Sequence, residues 1–370
     1  MKAPRYVPWL ALPNGWPAFE AAILAGAAAN VIAGTLLAEA TGVPRGHWRL
    51  AIGAAIVSAL AYVYGGRLLK RSEATSCFGL LASVLAGTWG TLALAGIPAL
   101  RCLDALAAGL AVNQVFGRFG CLLAGCCHGR PARRGLAYGA RHAESGFPSA
   151  LVDLPLFPIQ LLEATLLACL SGGLVSVALR PHPAGELLAL YLTGYAIVRC
   201  VLEPFRGDVD RAFLAGLSEA QWCSIATLFG VATFSWRGGL QLRALHLAAA
   251  VCLTGVVFIA QIVGAAGGRR LFHPGHILEL ASATRRSLAA GRGTPIQVET
   301  TSLGLCLSAG FAGSTELELP FLTVSRDGPA LTPATARRVG RLLAAVARRD
   351  VRLVAGGSNV FHLLLGESAR

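Results

Sequence analysis

The chain has 370 residues, of which 55% are hydrophobic and only 14% charged, and its mean hydropathy is positive. That balance excludes an ordinary soluble globular protein, whose charged share is about a quarter. The formal net charge of +13 comes almost wholly from arginine, Lys2 and Lys70 being the only lysines. These arginines are scattered between apolar runs without an aromatic-interleaved patch, which argues against nucleic-acid binding.

Taken in chain order, apolar runs near 19–41, 48–66, 77–100, 102–125, 160–179, 186–205, 219–236 and 243–267 approach or reach the roughly 20 residues that span a bilayer as a helix. The spacing predicts an all-α polytopic membrane bundle of seven to eight transmembrane helices. Pro4, Pro8, Pro13 and Pro17 precede any apolar run, so no cleavable signal peptide is expected. Residues 126–158, with Pro131, Pro148, Pro155 and Pro158, read as a long loop. After Gly267-Gly268 the spans stop and charge rises, so three parts are expected: an N-terminal segment 1–18, a membrane domain 19–267 and a C-terminal extension 268–370.

The extension reads as a small α/β unit. A helix is expected over Ile277–Leu288, and strands over Ile296–Thr301, Leu303–Ser308 and Glu316–Val324. Thr332-Pro333 opens a second helix that runs to about Arg349, and Val351–Ala355 is expected as the last strand. His273 and His276 flank a Pro-Gly pair and read as loop residues rather than metal ligands.

Chemistry concentrates in the membrane part. The span from Cys102 to Cys126 holds Asp104, Asn113, Gln114 and Arg118, too many polar groups for a lipid-facing helix, so they must face the bundle interior or a wet cavity. Gly117, Gly120, Gly125 and Gly129 let backbone or ligand come close, or else serve helix packing. Tyr191, Tyr195, Arg199 and Glu203 recur every four residues and make one polar stripe, with Arg206 just beyond. Arg199 and Glu203 could simply neutralise each other. Two arginine forks on different spans could also clamp a phosphate. Gln160 and Glu163 stand at a helix entry, where an acid suits the dipole.

These pieces, in this order, resemble the prolipoprotein diacylglyceryl transferase family. The resemblance is carried by Asp104 to Gly129 around Gly117-Arg118-Phe119-Gly120, by Phe157 to Glu163, by Gly194 to Arg206, and by Gln221-Trp222-Cys223-Ser224-Ile225. It covers about residues 75–235. It implies a bacterial inner-membrane, multi-pass enzyme that moves the diacylglyceryl group of phosphatidylglycerol onto a cysteine thiol of a prolipoprotein. Its implied partners are phosphatidylglycerol, the prolipoprotein and membrane lipid, with no cofactor and no metal. Carried over, Arg118, Arg199 and Glu203 would be catalytic, with His128 as a substitute base. Tyr195, Gln160, Glu163, Gly117, Gly120, Gly129 and Arg206 would bind substrate. The chain departs from the family where asparagines and an acid are usual, holding Cys121, Ala124 and Cys126, and Phe78 stands where the family has a histidine.

Those departures keep two alternatives open: a paralogue that binds anionic lipid without catalysis or uses another acceptor, and a metal or redox protein built on Cys121, Cys126, Cys127 and His128. Adjacent cysteines count against one shared ion. Orientation is contested. The basic loops after the second and fourth spans and the Arg-rich tail fall on one side, which the positive-inside rule makes cytoplasmic, whereas the family resemblance makes it extracytoplasmic.

Overall fold

The computed structural model describes residues 5–8, 17–70, 76–209, 211–238, 240–266, 269–289, 296–314, 317–357 and 359–368. Arg71, the Gly267-Gly268 junction and Glu316 lie outside the described residues. The chain begins with a two-residue strand, β1 (Arg5–Tyr6), and four long helices: α1 (Ala18–Ala40), α2 (Arg45–Lys70), α3 (Cys77–Leu94) and α4 (Ala99–Ala124). The connection after α4 holds β2 (Pro131–Ala137), the short α5 (Ala140–Glu144) and a 3-10 turn at Ser149–Leu151. Next come α6 (Ile159–Ala178), α7 (Glu186–Leu202), a ribbon of β3 (Phe213–Leu214) and β4 (Leu217–Ser218), α8 (Glu219–Gly238) and α9 (Arg243–Ala266). The extension contains α10 (Pro274–Ala289), β5 (Glu299–Thr300), β6 (Leu305–Ser314), β7 (Leu317–Arg326), α11 (Pro333–Ala347), β8 (Arg349–Gly357) and β9 (Val360–Ser368).

Every apolar run becomes a helix, and seven of these helices are long and apolar enough to cross a membrane. The protein is thus a multi-pass membrane bundle with a small strand-containing region at its C-terminal end. Polar residues inside the bundle tie helices together at one end. Asp104 on α4 accepts from the backbone N–H groups of Gly185 (2.7 Å) and Leu188 (2.9 Å), satisfying the otherwise orphaned start of α7. Glu186 does the same for Gln241 and Leu242 at the α8–α9 link. Side by side, α1 and α4 interlock through small residues: Gly26 lies against Asn113, Gly109 against Asn30, and Gly120 against Phe19 and Ala22.

Two departures from the sequence reading have physical causes. The connection 126–158 is not plain loop. Proline at the first position of β2 costs no ladder bond, and β2 pairs in parallel with β1 through Arg5–Leu136 and Tyr6–Ala137. Val351–Ala355 is not the last strand either. Gly357 and Asn359, both at positive φ, turn the chain into β9, which lies between β7 and β8 in the order β5-β6-β7-β9-β8. The expected Thr332 cap is present, its hydroxyl accepting from Thr335 N–H at 3.2 Å. His276 is fully used within the fold, donating from Nδ1 to Leu271 O (2.7 Å) and accepting Thr301 Oγ1 at Nε2 (2.9 Å).

The extension rests on the connection after α4. Ala281 of α10 and Val346 of α11 join a core with Val7, Tyr138, Phe147, Leu151, Leu154 and Leu156. Arg285 and Arg348 donate to the carbonyls of Val152 and Asp153. From the end of α4 the chain runs through α6, α7, α8 and α9 before reaching the extension on that same side. An even number of crossings is needed, so α8 crosses as well, although it falls outside the seven most apolar helices. With α8 counted, the crossing helices among the described residues number eight, α7 packed on α8 and α8 on α9.

Candidate functional site

At the end of α4, Gly125 adopts the left-handed conformation (φ 76°) and stops the helix. The chain then runs through Cys126, Cys127 and His128 into a backbone clasp. Gly129 and Arg206 form an antiparallel bridge, and Arg130 N–H donates to Phe205 O at 3.1 Å. Gly207 N–H donates to His128 O at 2.8 Å, and Phe157 N–H to Arg130 O at 2.9 Å. The end of α4, the start of α6 and the end of α7 are thereby pinned together. A Cβ on Gly129 would stand 2.1 Å from Phe157 O, so only glycine permits the approach.

The clasp brings the charged side chains of three helices to one place, on the face of α4 that carries Gln114, Arg118 and Cys121 rather than the face turned to α1. Arg118 is buried and ion-paired with Glu163 at 2.8 Å. Arg199 donates to Glu203 at 2.9 Å, and Glu203 is shared with Arg211 at 2.7 Å. Arg206 grips Asp208 with both prongs, at 2.9 and 2.7 Å. Four guanidiniums meet three carboxylates in a largely buried network, and a fifth, Arg130, joins it by donating to Arg206 O at 3.0 Å, so positive charge is in excess. Just outside the span, burial pushes the Asp208 carboxyl up, but the Arg206 fork prevails and holds it below the usual range.

Tyr195 stacks on Tyr191, with ring centroids 6.1 Å apart, and touches Phe78 at 5.3 Å. It lies within electrostatic reach of both Arg118 and Arg199. The hydroxyls of Tyr191 and Tyr195, the carbonyl of Gln114 and Nε of Arg199 are buried without a protein partner. A buried polar atom left unpaired costs roughly 1–3 kcal/mol, so these atoms mark an interior that favours a polar guest. An anion here would meet a preorganised, water-poor set of donors.

The structure separates the sequence-derived candidates by what they touch. Arg118, Arg199, Glu203, Glu163, Tyr195 and Arg206 come together as the charged cluster and its aromatic wall. Gln160 instead supports the turn, its amide donating to Cys126 O (3.0 Å) and Tyr138 Oη (3.1 Å). Gly120 faces α1, where its smallness serves helix packing, whereas Gly117 has only Ile23 Cδ1 near it, at 3.8 Å, an ordinary contact distance. His128 is buried in the clasp, donates from Nδ1 to Gly129 O (3.0 Å), and its pKa is lowered by burial. That keeps its ring neutral near pH 7.

Sequence reasoning missed Asp208 and Arg211, which complete the ion network from the connection after α7. The spacing Arg206-x-Asp208 was the available signal. The cysteines singled out in the sequence, Cys121, Cys126 and Cys127, do come together, while His128 is held in the clasp. Cys127 sits at φ 51°, and Cys121, Cys126 and Cys127 converge so that their sulfurs all lie within 4.8 Å of one another. Hydrogen bonds from the Cys121 and Cys126 thiols, then Arg206 and Arg118, hold the Cys127 thiol well below its ordinary value.

A family model for prolipoprotein diacylglyceryl transferase matches residues 19–237. The chain is 32% identical over 137 residues to the phosphatidylglycerol–prolipoprotein diacylglyceryl transferase of Clostridium tetani, covering 37% of this chain and 53% of that protein. It is 30% identical over 149 residues to the enzyme of the same name from Dehalococcoides mccartyi (40% of this chain, 55% of that one). With transferase 2 of Clostridium perfringens it shares 32% over 152 residues (41% and 54%). The chain thus spans about half the length of the curated relatives it matches.

Proposed function

The chain belongs to the prolipoprotein diacylglyceryl transferase family across residues 19–237, and on that footing we propose that it transfers the diacylglyceryl group of phosphatidylglycerol to a cysteine thiol of a prolipoprotein in a bacterial inner membrane. The observation that carries this reading is the cluster around Arg118 and Arg199. Each arginine is buried and oriented by its own carboxylate, and the set retains an excess of positive charge for a phosphodiester.

In this account the acceptor sulfur attacks the glyceryl carbon that bears the phosphate. The C–O bond breaks, a C–S bond forms, and glycerol phosphate leaves with the electron pair. Arg118 and Arg199 stabilise the charge that grows on the departing phosphate, and removing one such donor costs about 10²–10³ in rate. Glu163 and Glu203 fix the two forks. Tyr195 walls the cavity, while Arg206 supplies further positive potential. His128 Nε2, unprotonated in the neutral ring, is the proposed acceptor for the thiol proton. Residues 268–370 form the proposed separate extension, extracytoplasmic together with the loop after α4.

One observation favours a second reading. Phe78, in the place of the family histidine, fills its site with an aromatic ring against Tyr195, which suits a paralogue that holds an anionic lipid without transferring it. Mass spectrometry of a lipobox peptide incubated with the protein in phosphatidylglycerol vesicles separates the two. The transferase reading expects the peptide to gain one diacylglyceryl group. No gain, with phosphatidylglycerol still co-purifying in preference to neutral lipid, would establish the binding reading instead.

A further inference from the structure

The three thiols at the end of α4 are not needed to hold a phosphate, and their arrangement calls for its own account. The left-handed Gly125 ends the helix, and the left-handed Cys127 folds the chain back. Two adjacent cysteines and a third from the last turn of α4 therefore point at one spot, all sulfurs within 4.8 Å. With metal–sulfur bonds of about 2.3 Å, a three-coordinate thiolate centre has its sulfurs about 4 Å apart. Closing on an ion needs only a small contraction. The turn is held in place from both sides: Gln160 donates to Cys126 O, and His128 O accepts from Gly207 N–H. Such supporting bonds are what orient metal ligands.

A disulfide would use only two of the three thiols, and all ten cysteines are free in the structure. Among the described residues, this is the group whose donors converge in this way. The donor set is soft and all sulfur, which selects thiophilic d10 cations over magnesium or calcium.

We propose that Cys121, Cys126 and Cys127 form a three-thiolate site for a thiophilic d10 cation, independent of the transferase reading. The test uses the reduced full-length protein in detergent, titrated with Cd2+ alone while the ultraviolet sulfur-to-cadmium charge-transfer band is followed. The expected result is a band that saturates at one equivalent and protects three thiols from maleimide. The variants C121S, C126S and C127S should each weaken binding by about 100-fold or more, since losing even a residue that merely supports a metal ligand costs about 10–100-fold. Cys223→Ser, on α8, should bind as the wild type does. Cys126 is exposed, so C126S tests the site even if a change at Cys121 disturbs folding. A band unaffected by C126S, no band, or no stoichiometric end point would overturn the proposal.

Discussion

A methyl group at Gly129 would collide with the Phe157 carbonyl, whereas one at Gly117 would meet only Ile23 Cδ1 at 3.8 Å. The two glycines belong to the same stretch of sequence, yet their substitutions should behave differently. Gly129→Ala is expected to lose about 1–3 kcal/mol, the usual cost of forcing atoms into a packed place, and to separate α4 from α6 and α7. Gly117→Ala should leave the melting temperature unchanged or raise it, since alanine is the better helix former by about 1 kcal/mol. Thermal unfolding in detergent checks both. A neutral Gly129→Ala would show that the clasp does not hold the site. At this scale the arginines were legible in the sequence, because a charge in an apolar run is costly enough to announce itself. The glycines were not: packing and ligand approach both require the same missing side chain, and only the neighbour tells them apart. Asp208 and Arg211 were invisible for a different reason, since their partners lie across a turn rather than along a helix face.

The connection after α4 is the element on which the site depends, and it carries the clearest pH signature. Burial lowers the pKa of both His128 and His142 below their ordinary value of 6.5. The unfolded element then binds more protons than the folded one just below pH 6.5. The stability that these neutral rings contribute is complete above that value and is lost as pH falls toward their lowered folded values. Asp208 behaves differently: with its pKa held down, its contribution is complete above 3.8 and is lost only as pH falls from there toward the lowered folded value. Hydrogen exchange between pH 8 and pH 5 should therefore show residues 126–158 losing protection below about pH 6.5 while α3 does not change. A His142→Gln variant should flatten that dependence. Protection that is independent of pH in the wild type would contradict this account. Composition made the element look like a loop because β2 owes its existence to β1, more than a hundred residues earlier, and local sequence cannot show such a partner.

For the molecule as a whole, the docking of the extension on the connection after α4 places both on one side of the bundle, and it is this placement that makes α8 a crossing helix. Topology reporters fused after Gly139 and at the C-terminus should give the same side. Opposite sides would mean that α8 does not cross. Helix number and the extension's α/β character could be read from hydropathy and alternation. How the extension docks could not, because it rests on a few apolar residues, such as Ala281 and Val346, that look like ordinary core. The central claim remains that the buried arginines Arg118 and Arg199 act on a phospholipid headgroup. Its most direct measurement is the rate of labelled diacylglyceryl transfer from phosphatidylglycerol to a lipobox peptide by wild type, Arg118→Ala, Arg199→Ala and Arg101→Ala. Arg101 serves as the control, since it donates to His182 O (2.9 Å) near the start of α4, roughly 25 Å along the helix from Arg118. The expected result is transfer by wild type and Arg101→Ala, with a loss of about 100-fold or more in each of the other two. Transfer that survives in Arg118→Ala and Arg199→Ala at the rate of the control would contradict the account.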